Sequence, residues 1–253
     1  MIIRTLENIY FEHIIYFTLI IHYFSLLYKC GDNMHFVSVA DIGKDLLKVN
    51  KKRADKIRKL LNENNIIAFD FMGATGSGKT LLIEKLIDNL KDKYNVACIA
   101  GDVIAKYDAD RLKRHGVQVI PLNTGKECHL DAHLVKHAFN DLDLENIDIL
   151  FIENVGNLIC PADFDLGTHK RIVVISVTEG DDTVEKHPEI FKTADLTIIN
   201  KIDIADAVGA DPIKMREDAK KLNKEMGVLL TSIKNNEGID KVIEFIEKTK
   251  TKY

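Results

Sequence analysis

From Val37 onward the apolar and polar positions alternate between two periods. Across 41–62, Ile42, Leu46, Val49, Ile57, Leu60 and Leu61 fall near helical spacing with Lys and Arg between them, which predicts a long amphipathic helix. Short apolar runs follow at 66–72, 96–100, 117–122, 149–153, 172–178, 196–200 and 228–231. Runs this apolar read as strands covered on both faces, the pattern of parallel sheets. Helical patterns at 80–93, 109–115, 130–140, 212–225 and 238–249 separate most of them. Strands alternating with helices predict an α/β fold, a mostly parallel sheet with helices on both faces. No repeat or Pro/Gly linker divides this region, so one domain is expected over 34–253.

The first residues follow neither pattern. Positions 14–28 carry no formal charge, but the stretch is shorter than the roughly 20 apolar residues a spanning helix needs. His22 and Ser25 interrupt it, and Glu7 and Glu12 spoil a signal peptide. Residues 1–33 are read as an upstream extension, with the functional chain starting near Met34. The alternatives are an anchor, which would make the protein a membrane-targeting one, and a packed extra helix.

Composition narrows the field. With 46% hydrophobic and 29% charged residues, disordered and collagen-like classes are excluded. A formal net charge of −4 offers no basic field for nucleic acid, so none is expected as partner. Four cysteines in so long a chain make no disulfide framework. They read as reduced thiols of a cytoplasmic protein; Cys98 falls in a strand run and reads as core, and Cys30 belongs to the extension.

Gly73, Ala74, Thr75, Gly76, Ser77, Gly78, Lys79 and Thr80 form the pattern G-x-x-x-x-G-K-T, after a strand and opening a helix. That placement lets backbone N–H groups and the helix N-terminus surround phosphates. Lys79 adds a point charge, and the Thr80 hydroxyl suits Mg²⁺.

A second signature, Asn200-Lys201-Ile202-Asp203, ends the run 196–200, where ligands bind parallel sheets. The Asp203 carboxylate matches the two N–H donors of guanine and neither pattern on adenine. Lys201 can lie along the base. Ser232 and Lys234, after the last strand, either close the base pocket or form a plain loop. In Phe151-Ile-Glu153-Asn-Val-Gly156, the acid ends an apolar strand and can hold Mg²⁺, and Gly156 can offer its N–H to a terminal phosphate. Asp102 and Asp108 are candidates to approach the same ion, or else a helix cap and a surface acid. These roles assign Lys79, Thr80, Glu153 and Asp108 to catalysis.

Metal-ligating types gather at Cys128-His129 and at Cys160, four residues after Gly156. Thiolate and imidazole suit Ni²⁺ and Zn²⁺. The helix expected from residue 130 would put Cys128 at a helix N-terminus, where the dipole lowers a thiol's pKa. Three ligands are too few for a closed site, so water or a second subunit would complete it. His133 and His137 continue at i+4 spacing and read as solvated helix residues.

Five strings together resemble one family: GATGSGKT at 73–80, NTGKECHLDA at 123–132, ENVGNLICPA at 153–162, TEGDD at 178–182 and NKID at 200–203. They are similar to those of the HypB family, the nickel-incorporation GTPases of [NiFe]-hydrogenase maturation, most of all the archaeal form. The resemblance spans all but residues 1–33. It implies a P-loop NTPase of the SIMIBI type, slow GTP hydrolysis, and GTP-dependent homodimerisation. It also implies a Ni²⁺ or Zn²⁺ site at the dimer interface built from Cys128, His129 and Cys160. The implied partners are a HypA-type nickel metallochaperone and the [NiFe]-hydrogenase large subunit. Glu153 in place of Asp is usual there. The N-terminal Cys-x-x-Cys-Gly-Cys motif of many bacterial members is absent. A urease-type assembly GTPase is the nearest alternative, but its Cys-Pro-His motif is missing. A small-molecule kinase would use ATP and tolerate loss of Asp203.

Overall fold

In the computed structural model the described residues are 39–102, 105–125 and 127–252. The expectations on residues 1–33 lie outside them. The long amphipathic pattern forms α1 (Val39–Glu63). There follow β1 (Ile67–Gly73), α2 (Lys79–Leu90), β2 (Val96–Asp102), α3 (Lys106–Lys113), β3 (Gln118–Asn123), α4 (Ala132–Ala138) and β4 (Ile149–Gly156). The second half carries β5 (Lys170–Ser176), α5 (Thr183–Lys186), α6 (Pro188–Lys192), β6 (Leu196–Asn200), α7 (Ala205–Val208), α8 (Pro212–Leu222), β7 (Gly227–Leu230) and α9 (Ile239–Lys252). Residues 43–253 form one compact unit.

The strands make one sheet in the order β3-β2-β4-β1-β5-β6-β7, every neighbouring pair parallel. Alternation along β1 sends Phe69 and Phe71 to one face, where Phe151 meets them edge-on at 5.9 and 5.4 Å between ring centroids. There α2, α3 and α9 cover the sheet with Leu82, Leu86, Leu112, Val242 and Ile246. The other face carries Ala68, Ile99 and Ile152 under α1 and α4. Met72, Val173 and Ile199 lie under α5, α6 and α8. Among the described residues, no helix is long and apolar enough to cross a membrane.

Three features differ from the pattern-based expectation. Leu46 and Val49 on α1 are 60% and 45% exposed, and the buried stripe starts only at Asn50. Asn50 is polar because it meets backbone: its side chain accepts from Ala132 N–H at 2.9 Å and donates to the Asp165 carbonyl at 2.8 Å. Next, β4 does not stop at Glu153 but runs on through Asn154 and Val155 to Gly156. Lastly, α5, α6 and α7 have five residues or fewer, too short for a 3.6-residue period to register.

Candidate functional site

All seven strands point their C-terminal ends to one edge, and there β1 turns into α2. Gly78 caps α2 at φ 107°, and a Cβ on it would lie 2.5 Å from Asn200 Nδ2. Only glycine tolerates both constraints. The close approach is used: Asn200 Nδ2 donates to the Ser77 carbonyl at 2.9 Å, bracing the loop from β6. Lys79 is 6% exposed, and its ammonium donates to the Gly73 and Ala74 carbonyls, both at 3.0 Å. Burial lowers its pKa; the nearby Glu153 and Glu179 carboxylates oppose that.

Thr80 Oγ1 donates to Glu153 Oε1 at 2.7 Å. The other oxygen, Oε2, is buried and has no hydrogen-bond partner. Burial pushes the Glu153 carboxyl up to about 7 against the pull of the Thr80 hydrogen bond and Lys79. An unsatisfied carboxylate oxygen beside a threonine hydroxyl suits a hard dication with oxygen ligands. Ser77 Oγ, in the loop itself, is also buried and unpartnered. Lys79, Thr80 and Glu153 open on a cleft of about 270 Å³, lined also by Thr75, Asp102, Asp108, Arg111, Asn154 and Gly156. A Cβ on Gly156 would sit 2.1 Å from Thr75 Oγ1, so a bare backbone there leaves the phosphate loop its room.

The residues expected at the base follow β6 and β7. Lys201 holds φ 63° at the end of β6, and its Nζ lies 3.4 Å from Thr178 Oγ1. Ser232 Oγ donates to Asp203 Oδ1 at 2.7 Å, which orients that exposed carboxylate. Lys234 is exposed.

Cys128 Sγ, a ring nitrogen of His129 and Cys160 Sγ all lie within 4.8 Å of one another. Cys128 sits in a turn, not at a helix start: the N-cap of α4 is Asp131, whose side chain accepts from Leu134 N–H. Without the dipole, the shift is opposite to the one expected. A hydrogen bond with Cys160 pushes the Cys128 thiol up, and a cation between the sulfurs would reverse that. His129 stacks on Phe164 with centroids 3.8 Å apart, and burial lowers its pKa, which keeps the imidazole neutral as a ligand must be. His133 and His137 are exposed on α4 and pack edge-on at 4.5 Å, outside this cluster. Cys98 is buried in β2.

Sequence reasoning assigned no role to Glu179, Arg111 or Phe164. Glu179 lies just past β5; its Oε1 accepts from Ser176 N–H and its Oε2 is buried without a partner. Burial raises it to about 7, and Lys79 and Lys201 pull it back. Only its place in the string 178–182 marked it. Arg111 lines the cleft but is held by Glu84, Nη2 at 2.6 Å and Nε at 3.2 Å from its oxygens.

A parallel sheet whose central strand feeds a glycine-rich loop and a buried lysine, with an acid beside the loop's threonine, defines a P-loop nucleotide-binding protein. The family model for the CobW/HypB/UreG nucleotide-binding domain matches residues 68–229. The chain is 74% identical over 216 residues to the probable hydrogenase maturation factor HypB of Methanocaldococcus jannaschii, covering 85% of this chain and 98% of that one. It is 40% identical over 209 residues to HypB of Rhizobium leguminosarum, covering 83% and 70%. Among solved structures, HypB from Archaeoglobus fulgidus is 47% identical with a TM-score of 0.76, covering 80% of this chain and 99% of that one. HypB from Helicobacter pylori, solved in complex with nickel, is 35% identical, also at 0.76, covering 80% and 95%. The chain belongs to the HypB family.

Proposed function

We propose that this chain is a GTP-hydrolysing switch that couples nucleotide state and dimerisation to nickel delivery in [NiFe]-hydrogenase maturation. The observation that carries the reading is a shared segment. Glu153, Asn154 and Gly156 line the phosphate cleft, and Cys160 of the Cys128–His129–Cys160 cluster follows four residues later. The family's names and the nickel-bound relative support it.

In this reading the Lys79 ammonium turns from the Gly73 and Ala74 carbonyls to phosphate oxygens. Loop N–H groups complete the cradle, and Gly156 offers its own to the terminal phosphate. Thr80 and Glu153 hold Mg²⁺, with Asp102 and Asp108 facing the same space. When bound, that ion neutralises phosphate charge. Asp203, oriented by Ser232, selects guanine, with Lys201 along the base and Lys234 at its rim. Arg111 lines the cleft but its guanidinium is engaged by Glu84, which fits slow hydrolysis.

The cargo, Ni²⁺ with Zn²⁺ as competitor, takes Cys128, His129 and Cys160. A second copy of the chain completes the coordination. A HypA-type metallochaperone and the hydrogenase large subunit are the proposed partners on either side of transfer.

The test is a Ni²⁺ titration with Mg²⁺ and GDP, then with a non-hydrolysable GTP analogue, while following particle mass. Nickel affinity or stoichiometry that changes with nucleotide, and is abolished by Cys128→Ala, is the expected result. Nickel binding that ignores both nucleotide and Cys128 overturns the metal switch.

A further inference from the structure

We propose that Asn154 and Asn157 are positioning residues for the metal ligands, clamping the Cys128–His129 pair to the strand end that lines the phosphate cleft. The inference rests on the metal reading above. Its starting point is the period of a strand, which sends successive side chains to opposite faces. Glu153 meets Thr80 on one face of β4; Asn154, next along, faces the other. There Asn154 is 1% exposed, and its Oδ1 accepts from Leu130 N–H at 3.0 Å. Its Nδ2 donates to Asp70 Oδ1 at 3.1 Å, so fully buried Asp70 keeps the amide from turning over.

Three residues on, Asn157 reaches the peptide bond that joins Cys128 to His129. Its Nδ2 donates to the Cys128 carbonyl at 3.2 Å. Its Oδ1 accepts from Ile159 N–H at 2.8 Å, one residue before Cys160. The Cys128 carbonyl, in the peptide that joins the two ligands, and the Leu130 N–H bracket His129. Two side chains on one short segment therefore hold the backbone around all three ligands. Arg171 closes the far side: its guanidinium donates to the carbonyls of Pro161 and Ala162, and its Nε lies 3.9 Å from Asp70 Oδ2. A turn-forming asparagine would need only the local bond to Ile159. The bond to Cys128 crosses 29 residues of sequence and serves no turn.

Outer groups that orient ligands typically carry tenfold or more in metal affinity. Asn157 is half-buried and its replacement leaves the core intact, so it is the first variant. In Asn157→Ala, Ni²⁺ affinity falls roughly tenfold and the thiolate-to-nickel absorption band shifts. Affinity for GDP holds within about twofold. Asn157→Ser keeps an acceptor for the local turn but cannot reach Cys128, and it behaves like the alanine variant. Asn154→Ala acts in the same direction and speeds amide exchange at Leu130 in the metal-free protein.

If wild-type protein holds no Ni²⁺ through Cys128, the metal reading falls and the clamp with it. If wild type binds and the Asn157 variants keep its affinity and spectrum in both nucleotide states, the clamp alone is overturned. If Asn157→Ser matches wild type while Asn157→Ala does not, the residue shapes only its own turn, and that also overturns it.

Discussion

The Glu153 carboxyl stands at about 7 instead of its ordinary 4.5, and burial is the main cause. Below about pH 4.5 it is neutral in the folded and unfolded chain alike. Between 4.5 and 7 the unfolded chain ionises first, so the folded nucleotide-free protein loses relative stability as pH rises. Glu153→Gln removes this cost. Urea unfolding should show the variant about 1–3 kcal/mol more stable than wild type above pH 7, the two converging near pH 4.5. Parallel curves would mean the burial cost is absent. Asp203 makes a sharper chemical demand. Asp203→Ala should cut the preference for GDP over ADP by at least roughly 100-fold in a competition assay, because its carboxylate reads two donors at once. A retained preference would move base selection to another residue.

At the scale of elements, the end of β4 decides what the site can do. Gly156→Ala would place a Cβ 2.1 Å from Thr75 Oγ1 and 3.0 Å from the Thr75 backbone. Nucleotide affinity should fall at least tenfold by calorimetry while far-ultraviolet dichroism keeps its native form; unchanged affinity would show that the loop can yield. The same strand end shows what was legible in advance. Apolar runs located every strand; for the inner strands the cause is burial on both faces, which leaves an unbroken apolar signature, while the edge strands β3 and β7 are only partly covered. They lost β4 at Glu153, where the residues become polar yet stay in the ladder because Thr80, Asp70 and Leu130 satisfy them. Glycine-rich and Asn-Lys-x-Asp spacings marked the loop after β1 and the end of β6, which the parallel sheet brings to one edge, because such motifs depend on local chain order. The turn at Cys128 was not legible. The helix pattern from 130 looked continuous, and only Asp131 capping against Leu134 starts α4 later. Phe164 under His129 lies 35 residues along the chain, beyond any periodicity.

For the whole molecule, one sheet edge collects both chemistries, and the order of strands dictates how that edge comes into being. β1, the strand that feeds the phosphate loop, pairs with β4 through Ile67↔Ile149 and with β5 through Phe69↔Lys170. Neither neighbour is near it in sequence. Non-local pairings of this kind form slowly, because long loops must close before contacts repay them. On the ribosome, the loop residues therefore emerge well before anything exists to seat them. A nascent chain that ends short of β4 has the complete Gly73–Thr80 motif and both residues of the Cys128–His129 pair, but neither of the strands that flank β1. Under the proposed function, guanine nucleotide and nickel would thus be handled only once β4 and Cys160 have been made, and the strand order itself would keep shorter chains from drawing on the metal.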